Sequence, residues 1–176
     1  MIDKKCFAIL LVGLLYFCPL HASQEQYEHP KPAPQAADFK DLQKLVGSWE
    51  GMNQTHKGKQ MIRVSYYLSS GNSALVEQIF KGSPEEMVSI YHSDKGNVIM
   101  THYCSLGNQP RMELEKRQDN TFLFGFKDGT NMKRKDPHMR SMTLTMVDDN
   151  TLRQEWTMYD KGKAKDTVVF NFTRVK

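Results

Sequence analysis

The residues of this chain best suited to chemistry gather in one stretch. Thr101-His102-Tyr103-Cys104 is followed by Gly107-Asn108-Gln109-Pro110 and then Arg111. A thiol near an imidazole suggests a nucleophile with its base, and the same pair suits zinc, copper or haem iron. Residues two apart on a strand share a face, with Cα atoms about 6.5–7 Å apart and side chains nearly parallel. His102 and Cys104 therefore meet poorly as a catalytic pair. His92 is an alternative base, but no Gly-x-Cys elbow or helix N-terminus activates Cys104. Cys104 reads as a small buried side chain, and no catalytic residue is assigned. Ligation falls to His102 or His138, with His92 or Cys104 as further donors. No close pair such as Cys-x-x-Cys or His-x-x-x-His supports a metal. No cofactor is assigned, and haem is kept as the alternative.

Other polar residues invite a role. Arg111, just past a proline turn, could hold a ligand carboxylate through a bidentate bond or pair with Glu77 or Glu113. Glu77 lies between Leu75 and Ile79 on their shared face. If that face is inward, Glu77 needs a partner such as Arg63 or Arg111. Trp156 shares a face with Gln154 and Met158, in a wall or core. His138 sits where a longer loop, 128–138, enters a strand, and that loop could form a lid. The candidates for a ligand cavity are His102, Cys104, Tyr91, Arg111, Trp156, Glu77 and His138.

Positioning these residues is the task of short elements. Asp38 to Val46 has apolar residues at helical spacing and is stopped by Gly47. Strand-like runs follow at 48–53, 60–70, 74–81, 86–93, 97–104, 110–117, 121–127, 139–147, 151–159 and 166–175. Turn residues such as Asp94-Lys95-Gly96-Asn97 join them, which predicts hairpins. Ten hairpin-linked strands form an antiparallel meander, and closing it into an up-and-down barrel removes the exposed edges. The expected fold is all-β: a roughly ten-stranded barrel behind a short helix. A barrel beyond about eight strands encloses more volume than its side chains fill, so a cavity is expected.

The N-terminus reads differently. Lys4-Lys5, the apolar run Cys6–Phe17 and a short segment ending at Ala22 form a secretory signal peptide, 1–22. Residues 23–37 are proline-rich and poor in large apolar residues, so a flexible leader is expected. The domain then covers 38–176. Cleavage leaves no second hydrophobic segment and removes Cys6 and Cys18, so Cys104 is alone and no internal disulfide forms. Losing Asp3, Lys4 and Lys5 takes the formal charge from +4 to +3. The basic run Lys133-Arg134-Lys135 lacks interleaved aromatics, so no nucleic-acid partner is expected. The protein is expected to be exported, periplasmic or secreted, with its oligomeric state undetermined.

Gly47-Ser48-Trp49 at the start of the first strand, after a short helix, resembles the Gly-x-Trp signature of lipocalins and their calycin relatives. That resemblance implies that Trp49 plugs the closed end of the barrel and that Arg174 packs over it. It departs from lipocalins proper in lacking a Thr-Asp-Tyr-like second motif and the disulfide. Joined to Glu50-Gly51 and to the Thr101–Met112 block, the pattern looks more like exported bacterial proteins of unknown function with lipocalin-like barrels. Haem-binding barrels of the nitrobindin type are more distantly similar. The implied function is enclosure of a small, largely apolar molecule. The alternatives are a haem- or metal-binding barrel using His102 or His138, and an envelope interaction protein with a filled core.

Overall fold

The structure, a computed structural model, describes residues 31–55 and 58–176. The signal segment 1–22 and residues 23–30 of the leader lie outside them. Ala33–Lys176 forms one compact unit. It opens with helix α1 (Ala37–Leu42), which tightens into a single 3₁₀ turn, Gln43–Leu45. Five strands follow: β1 (Gly47–Thr55), β2 (Gly58–Ser69), β3 (Ala74–Ile79), β4 (Met87–Asp94) and β5 (Asn97–Tyr103). Five more complete the chain: β6 (Gln109–Gln118), β7 (Thr121–Thr130), β8 (His138–Asp148), β9 (Thr151–Asp160) and β10 (Lys163–Arg174). Each strand pairs antiparallel with its sequence neighbours, and β10 returns to β1 to close the barrel.

Alternation along the strands fills the interior. Leu75, Tyr91, Met100 and Met112 are successive register partners across β3, β4, β5 and β6, and all are fully buried. Each contributes the inward half of a period-two pattern. The helix closes one end. Phe39, Leu42 and Leu45 are buried, and Trp49 donates its indole N–H to Leu45 O at 2.8 Å. The Arg174 guanidinium lies 4.0 Å from the Trp49 ring centroid and donates to Val46 O and Lys44 O, both at 2.8 Å. One side chain thus covers the indole face and satisfies carbonyls at the end of the 3₁₀ turn. Gly47 has a φ of +133°, and a Cβ there would lie 2.9 Å from Arg174 Nη1, so glycine suits this position twice over.

The β1–β10 seam is short. Register pairing covers Trp49↔Arg174 and Glu50↔Thr173. Beyond it the buried Asn53 side chain takes the place of a strand, accepting from Asn171 N at 3.0 Å and donating to Gly51 O at 3.2 Å. Gly51 lets the two backbones approach: a Cβ there would fall 1.9 Å from Asn171 O.

The structure departs from the sequence reading in two places. The loop expected over 128–138 shortens, because β7 continues to Thr130 and pairs Gly129 with Pro110 and Thr130 with Gln109. The leader expected to be mobile to residue 37 is already docked at its end. Gln35 donates to Asn72 O, and Ala36, buried, donates its N–H to Ser93 Oγ.

Candidate ligand cavity

At the end of the barrel away from the helix lies a cavity of about 680 Å³. Ile79, Met87, Met139, Val168 and Phe170 supply apolar wall, while exposed Gln54, Gln60, Glu85 and Asp166 stand at the mouth. That volume falls within the ordinary range for small-molecule sites.

Strand register builds the polar part of the wall. Tyr66, Glu77, Ser89 and His102 are successive partners across β2, β3, β4 and β5. All four are buried, so one inward row runs along four adjacent strands. From the facing wall, β9 contributes Gln154 and Trp156. Three donors converge on Glu77 Oε2: Tyr91 OH at 2.7 Å, Tyr66 OH at 2.9 Å and Gln154 Nε2 at 3.1 Å. Gln154 Nε2 also donates to Tyr66 OH, and Gln154 Oε1 accepts from Trp156 Nε1 at 3.1 Å. The partners of Glu77 are therefore two tyrosines and an amide, not Arg63 or Arg111. Arg63 lies on the surface beside Glu50.

His102 completes the row. Its Nδ1 shares a hydrogen bond of 3.0 Å with Ser89 Oγ, and its ring lies 4.7 Å from the Trp156 ring centroid. Its Nε2 is buried with no hydrogen-bond partner, and His102 lines the cavity. The ring is held on two sides while its second nitrogen is left unsatisfied, an arrangement that favours a ligand atom or an ordered water at Nε2.

Burial sets the protonation of both groups. It pushes the His102 imidazole down to about 4, so the ring is neutral near neutral pH. Burial raises the Glu77 carboxyl, opposed by the hydrogen bonds from Tyr91, Tyr66 and Gln154. The two act oppositely on stability. Between the ordinary histidine value of 6.5 and about 4, the unfolded chain carries a proton that folded His102 refuses, so this contribution is lost as pH falls. Glu77 holds its proton longer when folded, and its contribution is lost as pH rises above the ordinary carboxyl range. The terms offset in total stability, so a difference measurement isolates His102. Comparing His102→Gln with the native protein by urea unfolding, we expect the balance to move about 3 kcal/mol toward the variant from about pH 7 to about pH 4. A difference that stays constant with pH would count against a neutral, buried His102.

The remaining candidates fall elsewhere. Tyr91 is fully buried beneath the cavity, edge-on to Phe124. Cys104 is a free buried thiol whose pKa is raised by burial. It anchors the turn before β6, its N–H bonding Asn108 O and its carbonyl accepting from Gly107. Arg111 does not reach the cavity. It lies on the outer surface, paired through two nitrogens with Asp128, while Glu113 pairs with Lys127. β7 continues far enough to bring Asp128 opposite Arg111. His138 packs against the Phe126 and Tyr159 rings and bonds Asp136 O through Nδ1 at 2.7 Å, off the cavity wall. Among the described residues, no group of three or more His, Cys, Asp or Glu is arranged to hold a metal.

Tyr66 and Ser89 escaped the sequence reading, and Gln154 was noted only as a neighbour of Trp156. For Tyr66 and Ser89 the signal is register, since they lie beside Glu77 and His102 once the strands are aligned, whereas Gln154 reaches Glu77 from across the barrel.

The fold and this site define a closed ten-stranded antiparallel barrel with a partly polar interior cavity. Among solved structures, the chain is similar to the crystal structure of Rv2717c from M. tuberculosis, with a TM-score of 0.56 and 13% sequence identity. The match covers 81% of this chain and 100% of that one, and it is a likeness of fold. No family model and no curated protein matches the chain.

Proposed function

We propose that this chain is an exported, lipocalin-like barrel that encloses a small, largely apolar molecule. The observation that carries this reading is the buried, unpartnered Nε2 of His102 in the wall of an otherwise largely apolar cavity of about 680 Å³. Apolar surface there supplies affinity, and one oriented polar atom supplies direction. A filled core, as an interaction barrel would have, finds no support at this end. Export through residues 1–22, to the periplasm or medium, belongs to the same proposal.

The test is displacement of an apolar fluorophore, together with a native mass spectrum of the purified protein. We expect a bound fluorophore or a co-purifying lipid-sized mass, and loss of both in Val168→Trp, which fills the cavity from β10 beside Trp156. A protein of bare mass that leaves the fluorophore free would overturn the reading.

The same nitrogen supports a second reading, a haem or metal ligand. An imidazole whose other nitrogen is fixed by a neighbour is how proteins usually present histidine to a metal. Adding haem would then give a sharpened, red-shifted Soret band, and in His102→Ala the spectrum would return to that of free haem. His138 is the alternative ligand: its Nδ1 is held by Asp136 O and its Nε2 is likewise buried without a hydrogen-bond partner, although it lies off the cavity wall.

A further inference from the structure

We infer that the ligand is an uncharged amphiphile, an apolar body carrying a single hydroxyl, carbonyl or amide group that bonds His102 Nε2, and that the matching carboxylates are rejected. This rests on the enclosure reading and narrows it to a chemical class.

The polar atom comes first. Ser89 and Trp156 hold the imidazole from two sides, and rotating the ring to satisfy Nε2 would break the Ser89 bond. A ligand group delivered through the cavity satisfies it without that loss. If Nε2 carries the proton, it donates to a carbonyl or hydroxyl oxygen. If Nδ1 carries it, Nε2 accepts from a hydroxyl or amide. A hydroxyl serves either tautomer.

Charge comes next. The described residues lining the cavity include three carboxylates, Glu77, Glu85 and Asp166, and no lysine or arginine. Buried His102 offers no positive charge near neutral pH. A ligand carboxylate would lie near buried Glu77 with no described cation lining the cavity, and an unpaired ion in such a site is strongly disfavoured. A cation deep inside would lose its hydration and meet only Oε1 of Glu77, on a carboxyl whose pKa burial raises, because Oε2 already receives three hydrogen bonds from protein donors. What remains is a neutral group and an apolar tail.

The experiment compares 1-dodecanol, dodecanoate and dodecylammonium, of equal chain length, as competitors of an apolar fluorophore on the purified protein near neutral pH. We expect dodecanol to bind best, at least about tenfold better than dodecanoate. In His102→Leu the fluorophore should still bind while the affinity for dodecanol falls about tenfold. His102→Gln, which keeps a hydrogen-bonding group, should retain most of that affinity, which guards against a folding defect in the leucine variant. Equal or tighter binding of dodecanoate overturns the selectivity while leaving enclosure standing. Preference for dodecylammonium, or a dodecanol affinity indifferent to His102→Leu, overturns the role of Nε2. If the fluorophore does not bind the native protein at all, the enclosure reading fails first and takes this one with it.

Discussion

Replacing Glu77 by alanine is expected to cost about 3–5 kcal/mol of folding stability, a large part of the roughly 5–15 kcal/mol that holds a domain of this size. The carboxylate is the common acceptor for Tyr66, Tyr91 and Gln154, which come from three other strands. Alanine leaves two hydroxyls and an amide without that acceptor in a buried site, each worth about 1–3 kcal/mol when unsatisfied. Part of the loss is recovered because Gln154 and Tyr66 still bond each other. Glu77→Gln is the informative companion. It keeps an acceptor oxygen and removes the burden of ionising in a dry site, so its stability relative to the native protein should improve as pH rises. Urea unfolding at several pH values reads both variants. An alanine variant within about 1 kcal/mol of the native protein would mean that the network is relaxed or water-filled in solution.

Gly51→Ala is the second large effect, and its mechanism is different. The methyl group would land 1.9 Å from Asn171 O, and that atom is backbone, so no rotamer change relieves the contact. β1 and β10 must separate where their own pairing is already short, which also disturbs the bonds Asn53 makes across the gap. We expect a loss of about 3 kcal/mol, at the upper end for overpacking, because strain at the seam weakens closure as well as local packing. The check is the denaturation midpoint and amide exchange. Exchange should accelerate at Asn171, whose N–H bonds Asn53 Oδ1, more than at positions in the β6–β7 pairing. Exchange that rises evenly over the molecule would place the strain elsewhere.

Much of the architecture was legible because hairpin turns and alternation are local signals. Asp94-Lys95-Gly96-Asn97 places a turn without reference to anything distant, with Lys95 and Gly96 at positive φ. Local reading fails where a partner strand overrides composition. Asp128-Gly129-Thr130 looks like a turn, yet β6 captures it as strand, and Arg111 takes Asp128 as its ion pair. The candidate site shows the same division. Parity along a strand correctly groups Glu77 with Leu75 and Ile79, and His102 with Met100, but it cannot name what lies across the barrel. Gln154 meets Glu77 over 77 residues of sequence, and Trp156 reaches His102 from the opposite wall. Those partners depend on the number of strands and their stagger at closure, which no window of sequence contains.

That closure has a consequence for how the molecule comes into being. The seam joins Trp49 and Glu50 to Arg174 and Thr173, the two ends of the folded unit. One edge of β1 has no strand partner until β10 is in place. The contacts that shut the barrel are thus among the longest-range contacts of the chain, and such topologies fold slowly. Without the β1–β10 pairing the cavity would be a trough open along one side. The cavity has a wall on every side only when β10 meets β1.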